Sequence, residues 1–221
     1  MLPRRAKAAF YAAASPAMAV NGWLHRHFRA PASGVVKVHL GPGQKNYLPG
    51  WINVDANMFT ARCDIWADLR SQLPFRDATV DAAYSHHVIE HLPDLRFHLS
   101  EVYRCLKPGG VYRVGGPHGD MALRKFMDND TNWFGDFPDA RRSIGGRFEN
   151  FVFCRQEHLT ILTESFLQEL LTDAGFAEIA VRRPTNDTKY PDFFDAAVLG
   201  TEWESDMEFP HTLILEAAKP R

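Results

Sequence analysis

From Val35 onward, short apolar runs alternate with breaks that carry Gly, Pro and Asp. Apolar runs bounded by such breakers read as strands, and apolar positions spaced three and four apart read as helical faces. Strands are expected over 35–40, 51–55, 64–67, 80–84 and 111–114, and again over 178–182 and 212–218. Helical patterns fall at 88–92, 95–106 and 164–174, and Lys107-Pro108-Gly109-Gly110 stops the second of these. This alternation favours a mainly parallel sheet covered on both faces. The last two runs, separated by a Pro-, Asp- and aromatic-rich stretch over 184–211, fit an antiparallel pairing at one sheet edge. Residues 128–154, with Gly145-Gly146 and several aromatics, exceed an ordinary connection and read as a lid-like insertion.

The segment 1–30 has a different pattern. It is alanine-rich and basic, and it reads as a helix that packs Phe10, Met18, Trp23 and Leu24 on the domain while Arg4, Arg5, Arg26 and Arg29 face water. A signal peptide is disfavoured, because the stretch is broken at Ser15-Pro16 and lacks a Leu or Val run. Weak contact with a membrane surface is the other reading. The remaining residues, 31–221, read as one domain. With 221 residues, 45% hydrophobic and 24% charged, the chain is of ordinary globular composition, which excludes disordered and fibrous classes. No stretch has the roughly 18 apolar residues of a membrane span. Cys63, Cys105 and Cys154 are an odd number without a CxxC pair, so neither a disulfide framework nor a cysteine zinc site is indicated, and a reducing cytoplasm fits.

The net charge of −2 conceals an asymmetry: residues 1–54 carry +7 and no acid, and the rest carries −9. An acidic body disfavours a broad nucleic-acid footprint.

Three motifs carry chemistry. Val35-Val36-Lys37-Val38-His39-Leu40 runs into Gly41-Pro42-Gly43, where the absence of side chains lets a ligand lie on the backbone. The third glycine of a dinucleotide fingerprint is replaced by Asn46, which disfavours pyrophosphate and a nicotinamide oxidoreductase. Asp55 ends the second strand, where a carboxylate can accept hydrogen bonds from both hydroxyls of a ribose; Ala56 follows it. Asp68 ends the third, placed to accept from an adenine amino group while Leu69 packs on the base.

The ordered set His39-Leu40-Gly41-Pro42-Gly43, Gly50-Trp51-Ile52-Asn53-Val54-Asp55, Ala67-Asp68-Leu69, Leu73-Pro74-Phe75, Tyr84-Ser85, Glu90-His91-Leu92 and Leu106-Lys107-Pro108-Gly109-Gly110 resembles the class I S-adenosylmethionine-dependent methyltransferases, compact single-domain type. The likeness is strong over 35–116 and looser beyond. It implies a three-layer, Rossmann-like, doubly wound α/β sheet of seven strands, mostly parallel with the last antiparallel. It also implies S-adenosylmethionine held by Gly41, Gly43, Asp55, Ala56, Asp68, Leu69 and His86. Two departures are Pro42 between the glycines and a first crossover, 44–50, too short for a normal helix.

After the fourth strand, His86-His87 stands where nucleic-acid amino-methyltransferases would carry an Asn- or Asp-Pro-Pro-aromatic run, so base methylation is not expected. His87 and His118 are the candidate general bases for a substrate hydroxyl, His118 with Asp120 beside it. His87-Val88-Ile89-Glu90-His91 also spells H-x-x-E-H, but with no third ligand identified no metal is expected. Arg141, Arg142, Arg147, Arg155 and His158 place positive charge near the insertion, to hold an anionic substrate or to balance Glu149 and Glu157. The expected activity is methyl transfer to a small-molecule or carbohydrate-like acceptor at oxygen; the alternative is a non-catalytic S-adenosylmethionine-binding regulatory or assembly module. The oligomeric state is not legible.

Overall fold

The computed structural model describes residues 4–29, 34–57 and 59–221, without the side chains of residues 4, 5, 7 and 8, so the Arg4 and Arg5 side chains lie outside it. Seven strands form one sheet: β1 (Lys37–Leu40), β2 (Ile52–Asp55), β3 (Ile65–Trp66), β4 (Val80–His86), β5 (Leu106–Pro117), β6 (Ala177–Arg182) and β7 (Thr212–Ala218). Their order is β3-β2-β1-β4-β5-β7-β6. Pairings through β5 are parallel, and β7 runs antiparallel between β5 and β6. The expected class and strand set are therefore present, with β4 and β5 longer than the apolar runs alone suggest.

The two faces are covered by different means. On one, α2 (Leu95–Cys105) and α5 (Glu164–Asp173) pack Leu99, Val102, Leu167, Leu170 and Leu171 against Val38, Leu40, Tyr112 and Leu215. The N-cap side chains of Asp94 and Thr163 accept from Phe97 N–H and Phe166 N–H, fixing both starts. On the other face, with no helix between β1 and β2, Trp51, Tyr84 and Val111 pack against Phe194 and Val198, the latter on α6 (Ala196–Leu199). Arg113 on β5, fully buried, pins the 184–211 stretch there. Its guanidinium donates to both carboxylate oxygens of Glu202 at 2.5 and 2.7 Å, to Glu216 at 2.6 Å and to the Asp187 carbonyl at 2.9 Å. That stretch thus does the covering work of a helix.

The N-terminal segment is one helix, α1 (Arg4–Phe28), docked on the β3 side. Met18 is buried, Asn21 donates to the Trp66 carbonyl at 2.8 Å, and Arg76 donates to the carbonyls of Arg26 and His27. Trp23 and Leu24, expected to pack, are instead exposed together with Val20 and Phe28. They lie on the helix side opposite Met18, and Arg26, expected in water, is half-buried and donates to the Leu73 carbonyl.

The 128–154 segment is not structureless. It contains α4 (Ile144–Phe153) and, with α3 (Gly119–Met127), builds a small core in which Trp133 and Phe134 pack with Phe126, Phe148, Phe151 and Phe209. Arg141, Arg147 and the adjoining Arg155 pair with aspartates of the segment rather than with Glu149 or Glu157. Arg155 and Arg141 pair with Asp139, and Arg147 pairs with Asp136 at 3.2 Å.

Candidate active site

All the expected site residues sit at the ends of β1, β2, β3, β4 and β5, on the C-terminal edge of the parallel strands where open α/β folds bind ligands. The two glycines differ in what they do. Both have positive φ, but a Cβ on Gly41 would meet Val88 Cγ2 at 2.4 Å, whereas nothing lies within 4 Å of a Cβ on Gly43. Gly41 therefore lets Val88 close on the strand end, and Gly43 alone offers open backbone to a ligand.

Asp55 stands beside it. Its Oδ2 accepts from Gly43 N–H at 3.0 Å and its Oδ1 from Asn57 N–H at 2.8 Å, which fixes the carboxylate and leaves lone pairs on both oxygens. Burial raises its pKa, against the opposing pull of the Asn57, Gly43 and Ala56 backbone donors. Ala56 is buried and its carbonyl is held by Trp66 Nε1 at 2.8 Å. An open glycine backbone next to an oriented, half-buried carboxylate fits the ribose of S-adenosylmethionine.

Asp68 is at the expected strand end but already engaged. Arg70 grips both its oxygens, at 2.9 and 2.7 Å, and Ser15 of α1 donates to it at 3.1 Å. Burial alone would raise its pKa; the Arg70 and Ser15 contacts outweigh that and lower it. Leu69 beside it is buried. Tyr11 of α1 lies under the Arg70 guanidinium, 3.5 Å from it. Burial raises the Tyr11 pKa, Arg70 opposes, and the charges of Asp68, Asp55 and Glu157 add to the rise. The sequence pattern pointed to neither Tyr11 nor Arg70; the absence of acids before Asp55 is the one hint that α1 would seek a carboxylate.

At the β4 and β5 ends, His86 stacks on Tyr84, and burial holds its pKa well below the ordinary histidine value, with His87 adding. Its Nε2 is buried without a partner. His87 uses both ring nitrogens, toward Glu90 Oε1 and Thr212 Oγ1, each at 3.2 Å. His118 differs: its Nδ1 is buried without a hydrogen bond, Asp120 Oδ2 being 3.8 Å away, and burial lowers its pKa although Asp120 pulls the other way. A cavity of about 280 Å³ lined by His25, Val36, Ile52 and Thr79 lies at the opposite end of the strands and takes no part in this arrangement.

Residues 21–114 match a family described as a methyltransferase domain. A probable S-adenosylmethionine-dependent methyltransferase of Mycolicibacterium smegmatis is 44% identical over 78 residues, 32% of this chain and 30% of that protein. A sterol 4-C-methyltransferase of Caenorhabditis elegans is 40% identical over 60 residues, 27% of this chain and 18% of that protein. The matches thus span less than a third of these curated relatives. Among solved structures, an S-adenosylmethionine-dependent methyltransferase of Thermotoga maritima superposes with a TM-score of 0.53 at 17% identity, covering 97% of this chain and 95% of that one. With the strand order and the antiparallel β7, the chain has the fold of S-adenosylmethionine-dependent methyltransferases, and its residues 21–114 match a methyltransferase domain.

Proposed function

We propose that the chain methylates a hydroxyl of a small-molecule or carbohydrate-like acceptor, with His118 as general base. The observation that carries this reading is the His118 Nδ1, buried and without a hydrogen bond at the end of β5. Bound S-adenosylmethionine supplies a methyl carbon on sulfonium sulfur, open to in-line displacement. An acceptor hydroxyl held there would form its O–C bond as the S–C bond broke, with S-adenosylhomocysteine as the leaving group, and His118 would take the hydroxyl proton. Burial keeps that imidazole neutral near pH 7, so it has a lone pair to offer. His87, with both nitrogens bonded, is better suited to orienting its neighbours than to taking a proton.

Asp55 and the Gly43 backbone hold the cofactor ribose in this reading. Asp68 acts through Arg70 and Ser15, which close the adenine end with α1. Segment 128–154 covers the acceptor side as a packed flap. The exposed Val20, Trp23, Leu24 and Phe28 ridge of α1, within the first 54 residues, which carry no acid, supports weak contact with an anionic membrane surface. An odd number of cysteines with no CxxC pair fits a reducing cytoplasm, and no helix among the described residues is long and apolar enough to cross a membrane.

A turnover screen over hydroxylated acceptors, with S-adenosylhomocysteine release as readout, tests the reading. His118→Ala is expected to lower turnover about 10²- to 10⁴-fold with cofactor affinity within a few-fold. Full turnover in that variant refutes the base assignment. Tight S-adenosylhomocysteine binding without turnover on any acceptor class favours the non-catalytic module instead.

A further inference from the structure

The H-x-x-E-H motif lacks a third ligand in the sequence, and the fold supplies one. One ligand atom from each of Glu90, His91 and His158 lies within 4.8 Å of the others, although His158 comes from a segment far along the chain. The two segments are tied directly: Leu159 N–H donates to the Glu90 carbonyl at 2.7 Å, and the His91 and His158 rings meet at 4.9 Å.

Both imidazoles are presented in one tautomer. His91 Nδ1 is 2.9 Å from the Glu157 carbonyl, and His158 Nδ1 is 3.0 Å from the Val152 carbonyl. A carbonyl only accepts, so each Nδ1 carries the proton and each neutral ring keeps its lone pair on Nε2. Backbone carbonyls orient metal-binding histidines in this way. His91 Nε2 already faces Glu90 Oε1 at 3.9 Å. Donors around a metal bound at roughly 2.0–2.2 Å sit roughly 3–3.5 Å apart, so the three need close by only about an ångström.

The carboxylate itself calls for a cation. Glu90 is 1% exposed, its Oε2 has no hydrogen-bond partner, and among the described residues its ion pairs are with the imidazoles of His87 and His91 alone. A buried carboxylate without a lysine or arginine is an under-compensated charge. His87, donating from Nδ1 to Oε1, orients the carboxylate from the far side. The backbone is also bent to deliver His158, since Cys154, Arg155 and Gln156 all have positive φ immediately before Glu157.

We propose that Glu90, His91 and His158 bind one divalent first-row transition metal ion. Two imidazoles and one carboxylate suit zinc or manganese rather than calcium or magnesium, and three protein ligands leave coordination positions open. The site adjoins the end of β5, with Glu90 Oε2 3.2 Å from where a Cβ on Gly116 would stand. Resting on the methyl-transfer reading, an acceptor oxygen is the exogenous ligand those open positions would take.

The experiment needs no turnover. The full chain, stripped with a chelator, is titrated with Zn²⁺ against a chromophoric competitor. One equivalent per chain is expected to bind, with His91→Ala and His158→Ala each weakening it at least 10-fold. His27→Ala, on α1, serves as the control and leaves affinity unchanged. Melting curves establish that the variants fold, and His158→Gln replaces His158→Ala if that variant does not. Absence of a stoichiometric zinc site in the unaltered chain overturns the proposal whatever the variants do. So does unchanged affinity in folded His91 and His158 variants, which would assign the metal to other histidines. Neither result bears on S-adenosylhomocysteine binding, so failure here is distinguishable from failure of the methyl-transfer reading.

Discussion

At Asp55 the two carboxylate oxygens each hold one backbone N–H, so the side chain is oriented without being saturated. Asp68 shows the opposite condition, with Arg70 and Ser15 occupying both its oxygens. Similar motif positions therefore have unequal consequences. Removing Asp55 takes away the charged acceptor for the ribose, and a hydrogen bond to a charged group is worth about 1.5–3 kcal/mol. Asp55→Ala is expected to weaken S-adenosylhomocysteine binding roughly 10-fold or more, since 1.4 kcal/mol is a factor of ten. Calorimetry reads this directly, and equal affinities would remove Asp55 from the cofactor site. A glycine pair reads alike in sequence, yet Gly41 is closed by Val88 and Gly43 is open; only the packing of the segment after β4 distinguishes them.

Among elements, α1 is the one whose amphipathic reading was partly inverted. Counting apolar residues marked Met18, Trp23 and Leu24 together, but the helix docks through Met18, Ser15 and Asn21 and turns Trp23 and Leu24 outward. The polar anchors on Asp68 and the Trp66 carbonyl select the face, and hydrophobicity alone does not see them. Met18→Ala, which empties a fully buried seat, is expected to cost about 2–5 kcal/mol in urea unfolding. Leu24→Ala should stay within about 0.5 kcal/mol. Equal costs for the two would mean that α1 docks on its other face.

The strand runs were legible because buried parallel strands are short apolar stretches between breakers, and their ends led to Asp55, Asp68 and His86. Within segment 128–154, α4 was not legible because it carries Gly145-Gly146 and packs aromatic side chains with no helical apolar stripe along the preceding chain. His158 was read as loop charge, since its partners, Glu90 and His91, are joined to it only by the fold.

For the molecule as a whole, acid stability follows from how many histidines it buries neutral. His39 and His98 are each 1% exposed, and burial brings both down to about 4, from the ordinary 6.5. Their rings nonetheless donate from Nδ1, to Asn53 Oδ1 and to the Leu69 carbonyl. Above pH 6.5 both folded and unfolded chains hold these rings neutral. Between pH 6.5 and 4 the unfolded chain takes up protons that the folded chain refuses, so stability falls as pH falls across that window. A lowering of that size corresponds to about 3 kcal/mol per ring at its full extent, a large part of the about 5–15 kcal/mol typical of a domain. His211 works in the other direction. Burial lowers its pKa but the Glu204 hydrogen bond and the Trp133 carbonyl outweigh this and raise it, so its contribution is present below pH 6.5 and fades as pH rises through its folded value. The deeply buried rings, His86 beside His39 and His98, outweigh one half-buried one, and they set the sign of the net slope. Urea unfolding followed from pH 7 to 4.5 is expected to show a steady loss of stability. His98→Gln, which keeps a donor for the Leu69 carbonyl but cannot titrate, should flatten the slope. A profile level over that range in the unaltered chain, or a slope unchanged in His98→Gln, would remove the buried histidines as its cause.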